Sequence, residues 1–321
     1  MLDFEGKVVI VTGAGRGMGA AHARELAARG ARIVANDLGG GLFGDGFDTG
    51  PAEEIVAEIE AGGGTAIANT SDVSTSEGCA RVVADAVDAF GTVDGLLHNA
   101  GIAGYVPITE IDEEAIETML GVHLFGALHL TREAWPHLAD GGGSILYISS
   151  GAGLYGSPTL AHYAAAKLGV IGLTRVAAAE GRSQGIRVNS LAVAAASRMM
   201  DHIMAETPNM QKWFHEYMLP KLPAAAATWL LHPDCDATGR IFQAFGPQFS
   251  EVFIAETAGV AKLDMSAEDI RDRFAEIVDR GDLRLYGDQD EFIKSAFASI
   301  IAAGAAPPEP DSGAPVQFTA E

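Results

Sequence analysis

With 321 residues, 48% of them hydrophobic, the chain can bury the core of one large α/β domain with an extension, or of two small domains. Its formal net charge of −22 argues against nucleic acid and anionic membrane surfaces as partners. The two cysteines, Cys79 and Cys235, are too few and too far apart for a disulfide framework or a zinc site, so no metal is expected and a reducing, cytoplasmic setting is the simplest expectation.

Short apolar runs alternate with longer helical patterns. Val8 to Val11 is a run of branched residues, as expected of a strand buried on both faces, and Ala20 to Arg29 follows with helical periodicity. Arg32 to Ala35 reads as a second strand, and Leu38 to Gly50 as a Gly- and Asp-rich loop near the ligand end. Helix Pro51 to Glu60, strand Thr65 to Ala68, helix Ser76 to Phe90 and strand Val93 to Leu97 come next. Then follow one long helix from Glu113 to Leu138, strand Ser144 to Ile148, helix His162 to Gly181 and strand Ile186 to Leu191. Residues 195–219 hold Trp213, Phe214, Tyr217 and several methionines without a strand pattern, and read equally as a substrate lid or an ordinary helical excursion. Gly239 to Phe245 is a weaker seventh strand. This order predicts an α/β Rossmann-type doubly wound parallel sheet of about seven strands, with helices on both faces.

That domain is expected to span 1–245. Residues 246–303 read as a C-terminal helical extension, packed on the core or at a subunit interface. Its helices are Ser266 to Asp279 and Asp290 to Ala303, with Ser266 and Asp288 near N-caps. The Pro- and Ala-rich stretch 304–321 reads as a disordered tail. No apolar run approaches the roughly 20 residues of a membrane span. Met1 to Lys7 reads as too short and acidic for a signal peptide, and the end Thr319-Ala320-Glu321 as no peroxisomal address.

The turn Thr12-Gly13-Ala14-Gly15-Arg16-Gly17-Met18-Gly19 follows the first strand and opens a helix. Glycines there allow a tight turn and close approach of a pyrophosphate, and the helix N-terminus offers free N–H groups. Asp37 ends the second strand, where a carboxylate can bond adenosine ribose hydroxyls and repel a 2′-phosphate, favouring NAD over NADP. Arg16 pulls the other way, since a cation in this turn attracts that phosphate. Asp72 and Val73 are placed for the adenine, and Asn99, Ala100 and Gly101 for the chain beside the cofactor.

Ser150 closes the fifth strand; Tyr163 lies thirteen residues on, and Lys167 one helical turn beyond it. Carboxyl ends of parallel strands are where such sheets bind ligands. A phenol beside an ammonium is a tunable acid–base group, with an unperturbed pKa near ~10 that positive charge lowers. The trio suits hydride transfer: Tyr163 exchanges the hydroxyl proton, Ser150 holds the substrate oxygen, and Lys167 tunes Tyr163 and grips the nicotinamide ribose.

Over roughly residues 4–245 these motifs resemble the short-chain dehydrogenase/reductase superfamily. Within it, Asn36-Asp37-Leu38-Gly39-Gly40, Val122-His123-Leu124, Ala134-Trp135, Leu154-Tyr155-Gly156, Ala179-Glu180-Gly181 and Ser197-Arg198-Met199 look like the (3R)-hydroxyacyl-CoA dehydrogenase unit of peroxisomal multifunctional enzyme type 2. The resemblance implies oxidation of a 3-hydroxyacyl-CoA to the 3-ketoacyl-CoA. His123 stands where most of the superfamily has a catalytic asparagine, which implies a supporting catalytic role. His98 replaces the first asparagine of the usual Asn-Asn-Ala-Gly, a departure that reads as minor, and Val193-Ala194-Ala195-Ala196 replaces the usual Pro-Gly after the sixth strand.

Two other readings stay open. One keeps the chemistry on a steroid, terpene or other bulky apolar alcohol or ketone, because only Arg198, Lys212 and Lys221 could meet CoA phosphates in the lid stretch. The other is a non-catalytic NAD-binding scaffold. In every case the partner is a small molecule, and Ala- and Gly-rich helices predict a homodimer or homotetramer.

Overall fold

The computed structural model describes residues 2–306. The stretch expected to be a disordered tail lies outside the described residues beyond position 306. Two compact units divide between Val252 and Phe253. The first runs β1 (Val8–Thr12), α1 (Gly17–Ala27), β2 (Arg32–Asn36), α2 (Gly50–Ala61), β3 (Thr65–Asn69), α3 (Ser76–Phe90), β4 (Gly95–His98) and α4 (Glu113–Leu120). After a π-helical turn at Gly121–Phe125 come α5 (Gly126–Gly141), β5 (Ser144–Ser149), α6 (Gly151–Tyr155), α7 (Ala161–Gly181) and β6 (Arg187–Ala194). The unit closes with α8 (Arg198–Ile203), α9 (Pro208–Tyr217), α10 (Lys221–Leu231), β7 (Ile241–Phe245) and β8 (Gln248–Val252).

The sheet order is β3-β2-β1-β4-β5-β6-β7-β8, parallel except for β8, which pairs antiparallel with β7. The Rossmann-type α/β fold is therefore present, with an eighth strand that the sequence pattern did not reveal. Alternation in β1 explains its two apolar faces. Val9 and Val11 join a core with Leu26, Ile33, Ile55 and Leu230. Val8 and Ile10 face the opposite layer, with Val34, Val82, Leu130, Ile145 and Val170. β1 lies between β2 and β4, so connections leave it in opposite directions and open a crevice at the strands' carboxyl ends.

The single helix expected from Glu113 to Leu138 is interrupted. The π-turn at Gly121–Phe125 separates α4 from α5, and a 3.6-residue pattern cannot register one wide turn. Residues 195–219 form β6's exit, α8 and α9. Met204, Phe214 and Met218 pack there as a small apolar cluster against Ala194 and Met200.

The second unit contains β9 (Ala255–Thr257), α11 (Ala267–Asp272), α12 (Phe274–Ile277), β10 (Leu283–Leu285) and α13 (Gln289–Ala302). β9 and β10 pair antiparallel. The helix expected from Ser266 to Asp279 is split into α11 and α12, which Arg273 separates in non-ideal helical geometry. Ser266 caps α11 in a reciprocal box with Asp269, and Asp288 caps α13 through the Glu291 N–H. None of the described residues from 253 onward is buried.

Candidate active site

Gly13, Arg16, Gly17, Met18, Gly19, Asp37, Asp72, Val73, Asn99, Ala100, Gly101, His123, Ser150, Tyr163 and Lys167 all line one cleft of about 1040 Å³ at the carboxyl edge of the sheet. No group of His, Cys, Asp or Glu among the described residues could hold a metal ion.

At the glycine turn the backbone is tight. Gly13 has φ +63°, and a Cβ there would come 2.8 Å from the Ala100 Cα. A methyl on Gly19 would collide with the Gly13 carbonyl. Gly17, at φ +56°, faces open space instead, and Arg16, which precedes α1, provides no side-chain cap. The first N–H groups of α1 are thus left for an anion, and no acidic residue in the first turn opposes one. These features fit a dinucleotide pyrophosphate.

Asp37 is held in place from two sides. Its Oδ2 accepts from the Gly15 N–H at 2.8 Å and its Oδ1 from the Gly39 N–H at 2.7 Å. Each oxygen still has a lone pair to offer a further donor. Arg16 lies 3.6 Å from Asp48, so the insert after β2 supplies a counter-charge to the one cation that would draw a 2′-phosphate. Asp72 accepts from the Ser74 N–H at 2.8 Å, and Asn99 donates to the Thr12 and Gly13 carbonyls at 3.1 and 3.2 Å.

Thr12 is a hub. Its Oγ1 accepts from the Asn99 and Ala100 N–H groups at 3.1 and 3.0 Å. Its own proton therefore goes to His98 Nδ1 at 3.0 Å, and His98 Nε2 donates to the Val122 carbonyl at 3.1 Å. Burial pulls His98 down to about 3, so it stays neutral in this role. His98 is more than a minor replacement, since it ties β1 and β4 to the π-turn.

Ser150, Tyr163 and Lys167 come from β5's end and one face of α7. Ser150 Oγ caps α6 through the Ala152 N–H at 3.2 Å, and its hydroxyl neighbours the Tyr163 phenol. Tyr163 is 8% exposed and Lys167 4%. The Lys167 amine donates to the Ile148 carbonyl at 2.8 Å and lies 5.7 Å from the Tyr163 ring centroid. Burial lowers Lys167 to about 7. Burial also raises the Tyr163 phenol, and the neighbouring Ser150 hydroxyl works the other way. The sequence led us to expect an ammonium that makes the phenol more acidic. In the protein alone, desolvation dominates both groups.

His123 sits in the π-turn with its ring edge-on to Tyr163, centroids 5.2 Å apart. Its Nε2 lies 3.1 Å from both the N and the O of Ile102, while Nδ1 is buried without a partner. Burial, then the nearby Lys167 charge, hold it well below the ordinary histidine value. A Cβ on Gly101 would come within 2.5 Å of the His123 Cε1, which accounts for glycine there. His123 thus braces the 101–103 chain against the Tyr163 ring. Around that ring Ile102 and Met119 form a buried apolar cluster with Leu160, Val122 and Met199.

The sequence reading missed Tyr105, Phe43 and His202, which meet beside the cleft from three separate loops and helices. Only the proximity of Tyr105 to the Asn99-Ala100-Gly101 turn could have singled one of them out.

Comparison with known proteins gives one answer throughout. The chain is 39% identical to peroxisomal multifunctional enzyme A of Dictyostelium discoideum over 277 residues, 86% of this chain but 61% of that protein. It is 36% identical to a short-chain type dehydrogenase/reductase of Mycobacterium tuberculosis, across 89% of this chain and 99% of the other. A solved short chain dehydrogenase of Mycobacterium paratuberculosis, bound to NAD, superposes with a TM-score of 0.67 at 30% identity, covering 77% of this chain and 98% of that one. The profile described as short chain dehydrogenase matches residues 7–208, and the chain belongs to that family of oxidoreductases.

Proposed function

We propose that the protein is an NAD-dependent dehydrogenase that interconverts a secondary alcohol and a ketone, with a 3-hydroxyacyl-CoA and its 3-ketoacyl product as the preferred pair. The observation that carries this reading is the convergence of Ser150, Tyr163 and Lys167 on one glycine-lined cleft, with the Lys167 amine 5.7 Å from the Tyr163 ring centroid.

Gly13, Gly17 and Gly19 would admit the pyrophosphate, Asp37 the adenosine ribose, and Lys167 the nicotinamide ribose. When bound, the nicotinamide supplies the hydride acceptor or donor. In oxidation the Tyr163 Oη acts as the phenolate, which positive charge gathered at the site favours, and takes the proton of the substrate hydroxyl; in reduction the phenol returns it. Ser150 donates a hydrogen bond to the same substrate oxygen, stabilising the charge that builds on it. Ile102, Met119 and Met199 keep water from the reacting carbon, which strengthens both interactions. Asp37 and the Arg16–Asp48 pair favour NAD, in keeping with the NAD-bound relative. The thioester preference draws support from the multifunctional relatives, although the chain spans only about three-fifths of the first of them.

One observation favours a bulky apolar alcohol as a second reading. Met199, Met200, Ile203 and Phe245 line the outer cleft, and Arg198 is the one cation there among the described residues besides Arg16 and Lys167. The deciding experiment is a panel of 3-hydroxyacyl-CoA stereoisomers beside steroid and terpene alcohols, with NAD and NADP in parallel, followed near 340 nm (roughly the band of the reduced cofactor). We expect turnover with NAD to exceed that with NADP at least tenfold, and a roughly 100-fold or greater loss in Tyr163→Phe. NAD binding without turnover of any compound would leave a cofactor-binding scaffold.

A further inference from the structure

The loop after β4 carries a phenol that the proton chemistry at Tyr163 does not use. The Tyr105 ring is stacked on His202 of α8, centroids 5.4 Å apart at 20°. Phe43, from the insert after β2, meets the same His202 ring edge-on, also at 5.4 Å. The backbone is pinned on both sides of Tyr105. The Ala103 N–H donates to the Leu42 carbonyl at 2.8 Å, and the Val106 N–H to the Thr159 carbonyl at 2.9 Å. The ring is therefore oriented by three separate segments of chain.

Its hydroxyl is nevertheless buried without a partner, and Tyr105 lines the same cleft as Ser150 and Tyr163. Tyr147, buried deep in the sheet, pairs its hydroxyl with Thr131. A buried phenol with no partner is a cost that phenylalanine would not carry, unless something else fills the cleft and accepts its proton. Burial and the nearby Tyr163 raise the Tyr105 phenol to about 12, so at neutral pH it is a donor.

We propose that Tyr105 is a specificity-determining residue that donates a hydrogen bond to a second acceptor on the substrate, a carbonyl oxygen close to the carbinol carbon. This deepens the proposed function and rests on it: Ser150 and Tyr163 hold the reacting oxygen, and Tyr105 reads the carbonyl of a β-hydroxy ester or thioester. A simple secondary alcohol occupies the first position and leaves Tyr105 unpaired.

The test measures kcat/KM with NAD for ethyl 3-hydroxyhexanoate and for 2-octanol, in the wild type and in Tyr105→Phe. The preference for the ester over the alkanol should fall about tenfold in the variant, through KM rather than kcat, the loss of one hydrogen bond. The melting temperature should hold or rise, because an unpaired hydroxyl has been removed. An unchanged preference, with the wild type still oxidising 2-octanol, sinks this proposal and leaves the dehydrogenase reading intact. A clear drop in melting temperature would show a structural hydroxyl and also overturn it. A wild type that oxidises neither compound removes the dehydrogenase reading, and this one with it.

Discussion

Lys167 shows how one residue links chemistry to stability. Its amine is buried against the Ile148 carbonyl, and its pKa falls to about 7 from an ordinary 10.5. Between those values the unfolded chain holds a proton that the folded chain does not. Its contribution is therefore most favourable above about pH 10.5 and is lost as pH falls toward 7, at roughly 1.36 kcal/mol per unit. Lys167→Met should abolish most turnover, about 100-fold or more, yet flatten the rise of melting temperature between pH 7 and 10. Parallel melting curves for variant and wild type would show that some other group titrates there. The buried histidines act in the same direction at lower pH. His22, which has no partner for either ring nitrogen, is pulled to about 4 by burial. Its neutral form is stable in the fold above about 6.5, and stability is lost as pH falls from there toward 4. A His22→Leu variant should melt higher at pH 5 and resist acid better than the wild type, as differential scanning calorimetry would register.

Among the elements, the strands were the most legible. β1 to β7 follow apolar runs whose ends move by no more than three residues, because all but the edge strand β3 are largely buried on both faces and leave a continuous apolar record. The glycine turn and the Ser150, Tyr163 and Lys167 positions were legible for the same reason: each sits just beyond a strand or one helical turn into α7. The eighth strand was not, since Gln248–Val252 is largely polar and borrows its order from pairing with β7. Nor was the π-turn, and it carries His123. A π-turn holds one residue more than the α-helical turns beside it, so losing that residue lets α4 and α5 keep their buried faces. Deleting Val122 should therefore leave a cooperatively melting protein by circular dichroism. With the brace against Tyr163 gone, turnover should fall at least tenfold. A loss of folding instead would mean that Met119 and Leu130 need the wide turn to reach the core. The Tyr105–His202 contact was illegible for a different cause, being a meeting of segments almost a hundred residues apart.

At the scale of the whole molecule, the first unit holds every buried residue described, and with them the cleft and its chemistry. We propose that the Ala- and Gly-rich helices α5 and α7 serve a homodimer or homotetramer. Light scattering should then return two or four times the 33.3 kDa chain mass. A monomer at micromolar concentration would count against it. The described residues from Phe253 onward form caps, a two-stranded ribbon and three helices but no dry interior, with Phe253, Leu263, Phe274 and Phe292 all exposed. Local order of that kind does not outweigh the entropy of a free chain. Expressed by itself, residues 253–306 should be nearly structureless in far-ultraviolet spectra, whereas a chain ending at Val252 should still unfold in one sharp transition.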